Sequence, residues 1–437
     1  MNTDLLTTLL QKIDEPAARY ADLDRYYTGT QPLAFLSPEA RKALGDRFGR
    51  LATNLPRLAV TSLAERLRVT GFTGADVWSD WLRNDMDQES PIAHREALLL
   101  GNSFVIVWAD QFGRPKVTIE SAKQVAVLTD PGTRRITAAV KRWETKTTTE
   151  ATVFLPDEII RLRAEQTGAT VNGFKVVDQI DNPLGVVPVV RLRNGDRLLD
   201  DGVSEITDLV PLVDALNKLL TDMMVTSEYV GRPRRWATGI ELEEEEVLDD
   251  EGNPTGETEA VNPIPEGNRA MISENDTAKF GQLEAANLDG YGSAVDVLLG
   301  QIMAVSALPA HYIGQLSDTP ASADALRAAE ASLTARAEAR QASFGRAWED
   351  VARLIVGVGT GADPQQVDVR VTWADAATRS IAQEADAVVK LYQAGLLPAS
   401  YALKRLGYSD TEVTEIAAAR RGDVLNSMSI DLGKLVS

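Results

Sequence analysis

The sequence predicts an α+β fold built from several parts, and three observations support this prediction. Apolar residues recur three and four positions apart through the first hundred residues, which is the spacing of an amphipathic helix. From residue 103 to about residue 190, segments rich in Val, Ile, Thr and aromatic side chains alternate with turn signals. Helical spacing returns from Gly202, and one strand-like segment at 367–373 interrupts it. A length of 437 residues corresponds to about two to four domains.

The composition excludes several classes of protein. Hydrophobic residues make up 44% of the chain and charged residues 25%, which are globular averages and exclude general disorder. The 45 basic residues are outnumbered by 64 acidic ones, and the net charge is −19. A protein that binds nucleic acid tightly by neutralising phosphates normally has the opposite balance. Tight wrapping of DNA is therefore excluded, whereas weak sliding contact with DNA stays open.

The chain offers few residues for catalysis or metal binding. It has no cysteine and only two histidines, His94 and His311, which excludes disulfides, thiolate chemistry and multi-histidine metal clusters. Neither the GxSxG motif of serine hydrolases nor the GxxxxGK[ST] phosphate loop occurs. We therefore predict no catalytic residues, no metal and no cofactor.

No targeting or membrane segment is predicted. The N-terminus has early acidic residues and lacks the apolar core of a secretion signal. The apolar stretch Ala97–Ala109 has 13 residues, fewer than the roughly 18–20 that span a bilayer. We expect a protein without membrane contact that is intracellular or assembles from an intracellular pool.

The predicted elements follow one another in three blocks. Helices are predicted in the first hundred residues, at 5–13, from Ser37-Pro38 onward, and at 55–67, 76–82 and 91–100. An antiparallel meander is predicted from strands at 103–108, 116–120, 124–129, 135–144, 149–155 and 174–180, closed by an extended segment at Asn182–Val190. Further helices are predicted at 203–229, 288–305, 322–358 and, as two or three pieces, 380–421, with Pro211 leaving the start of the first one open.

The order of these elements indicates that the chain leaves one domain at about residue 202, makes an excursion to residue 307, and returns. The strand at 367–373 needs a partner, and the only large predicted sheet lies more than 180 residues earlier. Between them, two helices bracket a small module. Within that module, residues 241–260 contain ten acids and no base, with Gly252, Pro254 and Gly256 among them. We expect this acidic run to be an exposed, mobile loop.

Several motifs admit a functional and a structural interpretation. The Gly357–Gly361 segment resembles a phosphate loop, but it ends a helix instead of starting one, so a helix C-cap is favoured. The acidic run lacks the ligand spacing of a calcium loop. The Arg232–Trp236 segment combines cations with an aromatic ring, as nucleic-acid contacts do, although a charge match with the acidic run is favoured. His94 is interpreted as structural, and a functional role is left open for His311.

Several short segments, in order along about 350 residues, resemble one known family. They are Tyr26-Tyr27-Thr28-Gly29, Asn54-Leu55-Pro56-Arg57, Asn182–Val190, Leu308–Leu326, Arg340–Gly345, and Trp373-Ala374-Asp375 with Thr378-Arg379-Ser380. The chain resembles the portal proteins of tailed bacteriophages, of the SPP1-type family found in phages of actinobacteria.

This resemblance implies a portal-protein fold. It has a mixed α/β wing, a two-helix stem, a small α/β clip and a helical C-terminal crown. The corresponding boundaries are wing 1–201 and 321–375, stem helices 202–230 and 282–307, clip 231–281, tunnel loop 308–320, and crown 376–437.

The resemblance also implies a function and partners. Such proteins form a ring, here expected to have twelve copies, at one capsid vertex of the virion, assembled in the host cytoplasm. Double-stranded DNA passes through the ring without sequence-specific binding. The expected partners are further copies of the chain, the major capsid protein, the large terminase, the head–tail adaptor and, during assembly, the scaffold.

Two sets of site residues follow from the resemblance. Those of the DNA channel and tunnel loop are Leu308, His311, Tyr312, Ile313, Gln315, Leu316 and Asp318. Those of the clip and its partner contacts are Arg232, Arg234, Arg235, Trp236, Glu243, Glu244, Glu245 and Glu246. The net negative charge is expected on channel, crown or clip surfaces, where it keeps DNA sliding.

Two other functions stay open from the sequence. The chain is alternatively a different virion structural protein, such as a head–tail adaptor or scaffold, without a DNA channel. A hydrolase acting through paired carboxylates is the third possibility, but no motif places two acids in one pocket.

Overall fold

The computed structural model describes residues 3–32, 52–231, 235–239, 244–248, 254–260, 277–282, 288–314, 322–377, 381–408 and 410–432. The chain divides into two compact units. The first unit comprises residues 1–320 and 332–374, and the second comprises 321–331 and 375–437. The predicted α+β class is confirmed, because both helices and sheets are well represented.

The helices of the described residues agree with most of the sequence predictions. The one at 203–229 instead begins at Val210, so Pro211 lies in the first turn, where a missing N–H costs nothing. The predicted start at Ser37-Pro38 lies outside the described residues. The helices are α1 Thr3–Asp14, α2 Ala17–Thr28, α3 Leu55–Ala64, α4 Trp78–Arg83, α5 Met86–Leu100, α6 Val210–Gly231, α7 Asp289–Ser306, α8 Ala323–Thr360, α9 Ile381–Gln393, α10 Ala399–Arg405 and α11 Asp410–Leu432.

The strands form separate sheets. The bounds are β1 Val69–Thr73, β2 Asn102–Ala109, β3 Pro115–Ser121, β4 Val125–Thr129, β5 Ile136–Glu144, β6 Thr149–Phe154, β7 Glu158–Ala164, β8 Lys175–Asp181, β9 Val189–Arg193, β10 Arg235–Thr238, β11 Glu244–Leu248, β12 Pro254–Ala260, β13 Lys279–Gln282 and β14 Arg370–Trp373. The sheet orders are β4-β5-β6-β7-β8, β3-β2-β9, β1-β14, β10-β13 and β11-β12.

The prediction of one meander is therefore only partly right. Strands β4 to β8 form an antiparallel meander, but β2 and β3 pair with β9 in a sheet of their own. A tight turn after Ser121, where the Gln124 N–H donates to the Ser121 carbonyl (3.0 Å), leads the chain from one sheet to the other. Strand β7 was not predicted.

Helix α1 covers one face of the five-stranded sheet. Its apolar side of four residues packs on small and branched side chains from β4 to β7, which alternate with the pleat. At the end of the helix, the Arg142 guanidinium donates to the Asp14 carboxylate (3.0 Å). The sheet ends at β8, all seven residues of which are exposed, including Val176, Val177 and Ile180.

Strand β14 pairs with a strand that the sequence did not predict. It runs antiparallel to β1, with Val69 opposite Trp373 and Thr73 opposite Arg370. The expectation that it joins the large sheet is wrong. Strand β1 was missed because it is short and contains Gly71, so no alternation of apolar and polar residues marks it.

The long helix α8 begins and ends as its sequence predicts. The Ala325 N–H donates to the Ser322 hydroxyl (3.2 Å), as in an N-cap. At the other end Gly361 has a φ of +74° and its N–H donates to the Gly357 carbonyl (2.8 Å), so the Gly357–Gly361 segment is a C-cap. Periodicity predicts an apolar face from Leu326 to Val358, and its buried members are Leu333, Ala337, Phe344, Trp348, Val351 and Ile355. Leu326, near the start of this face, is exposed, and Val358, at its end, is half-buried.

The second unit is helical in its described part beyond residue 380. Helices α9, α10 and α11 are separated by turns at Gly395 and Gly407, both with positive φ, as the sequence predicts. Among the side chains described in these helices, the buried aliphatic ones are Val388, Ala402 and Val413.

His94 lies in the centre of the first unit and is structural, as predicted. It is fully buried, it stacks on Phe344, and its Nε2 accepts a hydrogen bond from Trp348 Nε1 (2.7 Å). Burial lowers the pKa of His94 to about 3. The imidazole is therefore neutral, with Nε2 as acceptor.

We predict that His94 makes folding stability depend on pH. Its pKa is near 6.5 when unfolded and lower when folded, so the unfolded state binds the extra proton between these values. Its contribution is complete above pH 6.5 and is lost as the pH falls, by at most about 1.4 kcal/mol per pH unit. His94→Gln, which retains an acceptor for Trp348, should flatten this slope.

Urea unfolding at pH 6.5, 5.5 and 4.5 measures the effect. His311→Gln changes the only other histidine and is the control for the loss of an imidazole elsewhere in the chain. Equal slopes for the wild type and His94→Gln would contradict the assignment.

Candidate functional site

Helices α6 and α7 form a helical arm with the four strands β10 to β13 between them. The last turns of α6 meet the first turn of α7, where the hydroxyls of Thr226 and Tyr291 lie 3.1 Å apart. The predicted excursion of helix, small module and helix is thus confirmed as an order of elements.

The helical arm exposes much apolar surface. Ile302 and Leu216 are buried, but most of the other aliphatic side chains of both helices are only half-buried, and Val297 is 64% exposed. A helix that is apolar on most sides is normally covered by other protein.

Two hydrogen-bonded contacts fix the base of α6. The Tyr26 hydroxyl donates to the Asp214 carboxylate, with both oxygens at 2.8 Å. The Thr53 N–H and hydroxyl each donate to the Asn217 side-chain oxygen at 3.0 Å. Burial, and then the hydrogen bond and charge of Asp214, raise the pKa of Tyr26, so its hydroxyl stays a donor.

The same region brings together two of the sequence segments that carry the family resemblance. Gly29, with a φ of +71°, ends α2 and lies against Asn54. The Arg57 guanidinium lies over the ring of Tyr27, 5.6 Å from its centroid. Residues 26–29 and 54–57 are therefore one structural feature, although 24 residues separate them in the sequence.

Residues 308–314 follow the helical arm. Leu308 is buried, and Ala310–Ile313 form a single 3₁₀ turn in which His311, Tyr312 and Ile313 are half-buried. The rings of His311 and Tyr312 meet edge to face at 4.8 Å, and the Arg66 guanidinium donates to the Tyr312 hydroxyl (3.2 Å). The predicted loop residues Gln315, Leu316 and Asp318 lie outside the described residues.

Strand β10, paired with β13, holds Trp236, the one predicted clip contact residue whose side chain lies among those described. Trp236 lies opposite Gly281 and is 42% exposed. A Cβ atom at Gly281 would come within 2.4 Å of the Trp236 ring, so the indole lies directly on the glycine backbone. Arg235 and Glu244, Glu245 and Glu246 lie in described strands, whereas Arg232, Arg234 and Glu243 lie outside the described residues.

The acidic run is a β-hairpin, and the expectation of a loop is wrong. Strands β11 and β12 pair antiparallel, with Glu244 opposite Ala260 and Glu246 opposite Thr258. The run combines its acids with Val247 and with two threonines, Thr255 and Thr258, which favour strands, on either side of a polar segment at 249–253 that suits a turn. The count of acidic residues alone did not reveal these strand-forming residues. The described elements between α6 and α7 are all strands.

Two further properties concern only the described residues. Within them, no group of three or more His, Cys, Asp and Glu side chains is arranged to hold a metal ion. No helix among them is long and apolar enough to cross a membrane.

Sequence comparison identifies the relatives of this chain. The family model described as "Phage portal protein, SPP1 Gp6-like" matches residues 7–424. Two proteins named "Portal protein", from Mycobacterium phage L5 and Mycobacterium phage D29, are each 33% identical over 388 residues, covering 83% of this chain and 77% of the relative.

Structure comparison finds a more distant likeness. A chain of the solved "Virion of native gene transfer agent (GTA) particle" aligns with a TM-score of 0.48 and 15% identity, covering 89% of this chain and 93% of the other. A chain of the "Neck of native GTA particle computed with C12 symmetry" aligns with the same TM-score and 12% identity, over the same shares of the two chains.

We predict that Tyr26→Phe destabilises the first unit through the base of α6. It removes a hydrogen bond to a charged acceptor and should lower the free energy of unfolding by about 1–2 kcal/mol. Urea denaturation at pH 7 measures the loss. Tyr27→Phe is the control, because the cation–π contact with Arg57 needs the ring and not the hydroxyl. Equal losses in the two variants would exclude a specific role for the Tyr26–Asp214 contact.

Proposed function

Because this chain belongs to the SPP1 Gp6-like family of phage portal proteins, we propose that it forms a ring at one vertex of the capsid and that double-stranded DNA passes through the ring. The chain has a portal role at a phage head and is a structural component of the virion, not an enzyme. The observation that carries the proposal is the family match over residues 7–424.

The surface of the helical arm supports assembly into a ring. Its half-buried aliphatic residues and the exposed Val297 would be removed from water by neighbouring copies on either side. A head-to-tail contact of this kind closes into a ring when the rotation between copies divides a full turn. We propose twelve copies, assembled in the host cytoplasm.

The proposed domains keep the boundaries predicted from the sequence. The wing comprises 1–201 and 321–375, the stem 202–230 and 282–307, and the clip 231–281. The tunnel loop is 308–320 and the crown is 376–437. In this assignment α6 and α7 are the stem helices, and the β10–β13 and β11–β12 pairs belong to the clip.

The distribution of charge supports a channel through which DNA slides. A lining that bound phosphates would retard the polyanion, whereas acids repel it and DNA is not bound by sequence. The acidic run contributes −10 of the net −19. Residues 376–437, the proposed crown, contain seven acids and seven bases and have no net charge. The negative charge is therefore concentrated in the proposed clip and not in the proposed crown.

The clip is the proposed contact surface for other proteins. Arg232, Arg234, Arg235, Trp236 and the acids at 243–246 would meet the large terminase during packaging and the head–tail adaptor afterwards. The exposed Trp236, held flat on Gly281, is the type of rigid aromatic residue that anchors an interface. The capsid protein and the scaffold would meet other surfaces.

We predict that the purified chain forms annular particles. Twelve copies of 47.4 kDa amount to about 569 kDa, which native mass measurement detects, and negative-stain images should show a central hole. A ring with a neighbouring number of copies would support the ring and correct the number. A large assembly without a hole would favour the adaptor or scaffold function. A stable monomer within capsids would exclude the portal, adaptor and scaffold functions.

We also predict that the 308–320 segment contacts DNA. Deletion of residues 310–317 removes Tyr312, Ile313, Gln315 and Leu316 and should abolish retention of packaged DNA while the number of copies in the ring stays unchanged. DNA protected from nuclease inside assembled heads measures retention. Wild-type packaging and retention by the deletion variant would show that these residues do not serve the channel.

A further inference from the structure

The part of α8 that belongs to the first unit carries polar side chains on both flanks of its buried stripe. Thr334 and Gln341 are seven residues apart and share one flank, while Arg336 and Arg340 are four apart and share the other. The stripe between these flanks is fully buried. Thr334 and Gln341 both form hydrogen bonds with Arg66, whereas Arg336 and Arg340 donate to Val305 and Glu205.

Arg340 holds the segment that leads into the helical arm. Its guanidinium donates to one Glu205 carboxylate oxygen through two nitrogens, at 2.7 and 3.1 Å. The same oxygen accepts from the Asn194 side chain (3.1 Å), and the Glu205 N–H donates to the Leu98 carbonyl (2.9 Å). The Glu205 side chain is only 10% exposed, so this carboxylate depends on its partners.

Arg336 holds the end of the helical arm. It donates to the Val305 carbonyl (2.7 Å), in the last turn of α7, where a cation also suits the helix dipole. A second nitrogen of the same guanidinium lies 3.8 Å from Glu205. One side chain of α8 therefore contacts the segment before α6 and the end of α7.

Arg66 holds the residues that follow the arm. One nitrogen donates to the Thr334 hydroxyl (3.1 Å) and another to the Tyr312 hydroxyl (3.2 Å). Gln341 donates in turn to the Arg66 carbonyl (3.0 Å). Between the two attachments, Ala307 has a φ of +57°, a conformation that costs an alanine free energy and that the surrounding contacts must maintain.

We propose that Arg66, Arg336 and Arg340 are positioning residues that hold the start of the helical arm, its end and residues 305–314 to α8 as one body. This inference rests on the proposed function, because the described residues 308–314 are the base of the proposed tunnel loop. The arginines thereby determine where that loop meets DNA. A shift of the loop base would be transmitted to α8 through side chains and not only through the backbone.

Hydrogen exchange of the full-length, assembled chain tests the local part of the inference. Arg336→Gln should accelerate exchange of the Leu308 and Tyr312 amides by about tenfold, since they open by local unfolding. Arg346→Gln is the matched control: it lies on the same helix, is 69% exposed and pairs with Glu349, which retains Arg370. Equal exchange in the two variants would overturn the proposal.

Conservative variants separate positioning from simple loss of charge. Arg336→Lys should restore slow exchange, because a single ammonium reaches the Val305 carbonyl. Arg66→Lys should not, because an ammonium lacks the planar fork that serves Thr334 and Tyr312 together. Tyr312→Phe removes only the hydroxyl that accepts from Arg66, so it should accelerate exchange as Arg66→Lys does. It keeps the test conclusive if an arginine variant fails to fold. Rescue by both lysines, or by neither, would contradict the geometry.

DNA retention in assembled heads tests the functional part. Arg336→Gln should lower the nuclease-protected DNA several-fold with an unchanged ring mass, whereas Arg346→Gln should match the wild type. If wild-type chains form no ring or retain no DNA, the proposed function fails while the exchange result still stands. If exchange changes and retention does not, the positioning role in DNA retention is wrong.

Discussion

The burial of the apolar stripe of α8 is the constraint on which the first unit depends. The helical arm separates α8 in sequence from Trp81 and His94, which its stripe contacts, so the stripe can be buried against them only if the excursion closes. The hydrogen bond from Trp348 to His94 and the edge-to-face contact between Trp348 and Trp81 form only when the chain returns from the arm. Closing so long a segment costs entropy that grows slowly with length, and the buried stripe offsets it.

Local pattern was sufficient to predict most helices and strands, because 3.6- and 2-residue periods mark them directly. It was insufficient wherever a partner lies far away in sequence. The pairing of β1 with β14 joins residues about 300 positions apart, and β1 contains a glycine and no alternation that would identify it. Counting acids predicted a loop at 241–260, although the β-forming residues between the acids make a hairpin. The net charge of a segment indicates how well water solvates it. It does not indicate whether the segment forms a strand, because strand formation depends on the side chains across the sheet.

The sequence segments that form the candidate site could be predicted, but the contacts between them could not. The resemblance identified residues 26–29, 54–57 and 340–345, and the structure shows what two of these segments hold: Asp214 for the first and Glu205 for the third. Arg66 and Arg336 had no sequence signal, because an arginine on a helix of mixed polarity looks like any solvated charge. Arg66 donates to two hydroxyls and Arg336 to a main-chain carbonyl, and no spacing rule connects these acceptors to the arginines.

The exposed edge of β8 has a consequence for a protein proposed to assemble in many copies. A strand at the end of a sheet with three exposed aliphatic residues is a template onto which further strands can add without limit. Charged residues stand at three of its seven positions, Lys175, Asp178 and Asp181, and a second strand would have to desolvate them. Such charges disfavour fibrillar aggregation through the β8 edge. Open-ended self-association is thereby weakened relative to closed assembly through other surfaces.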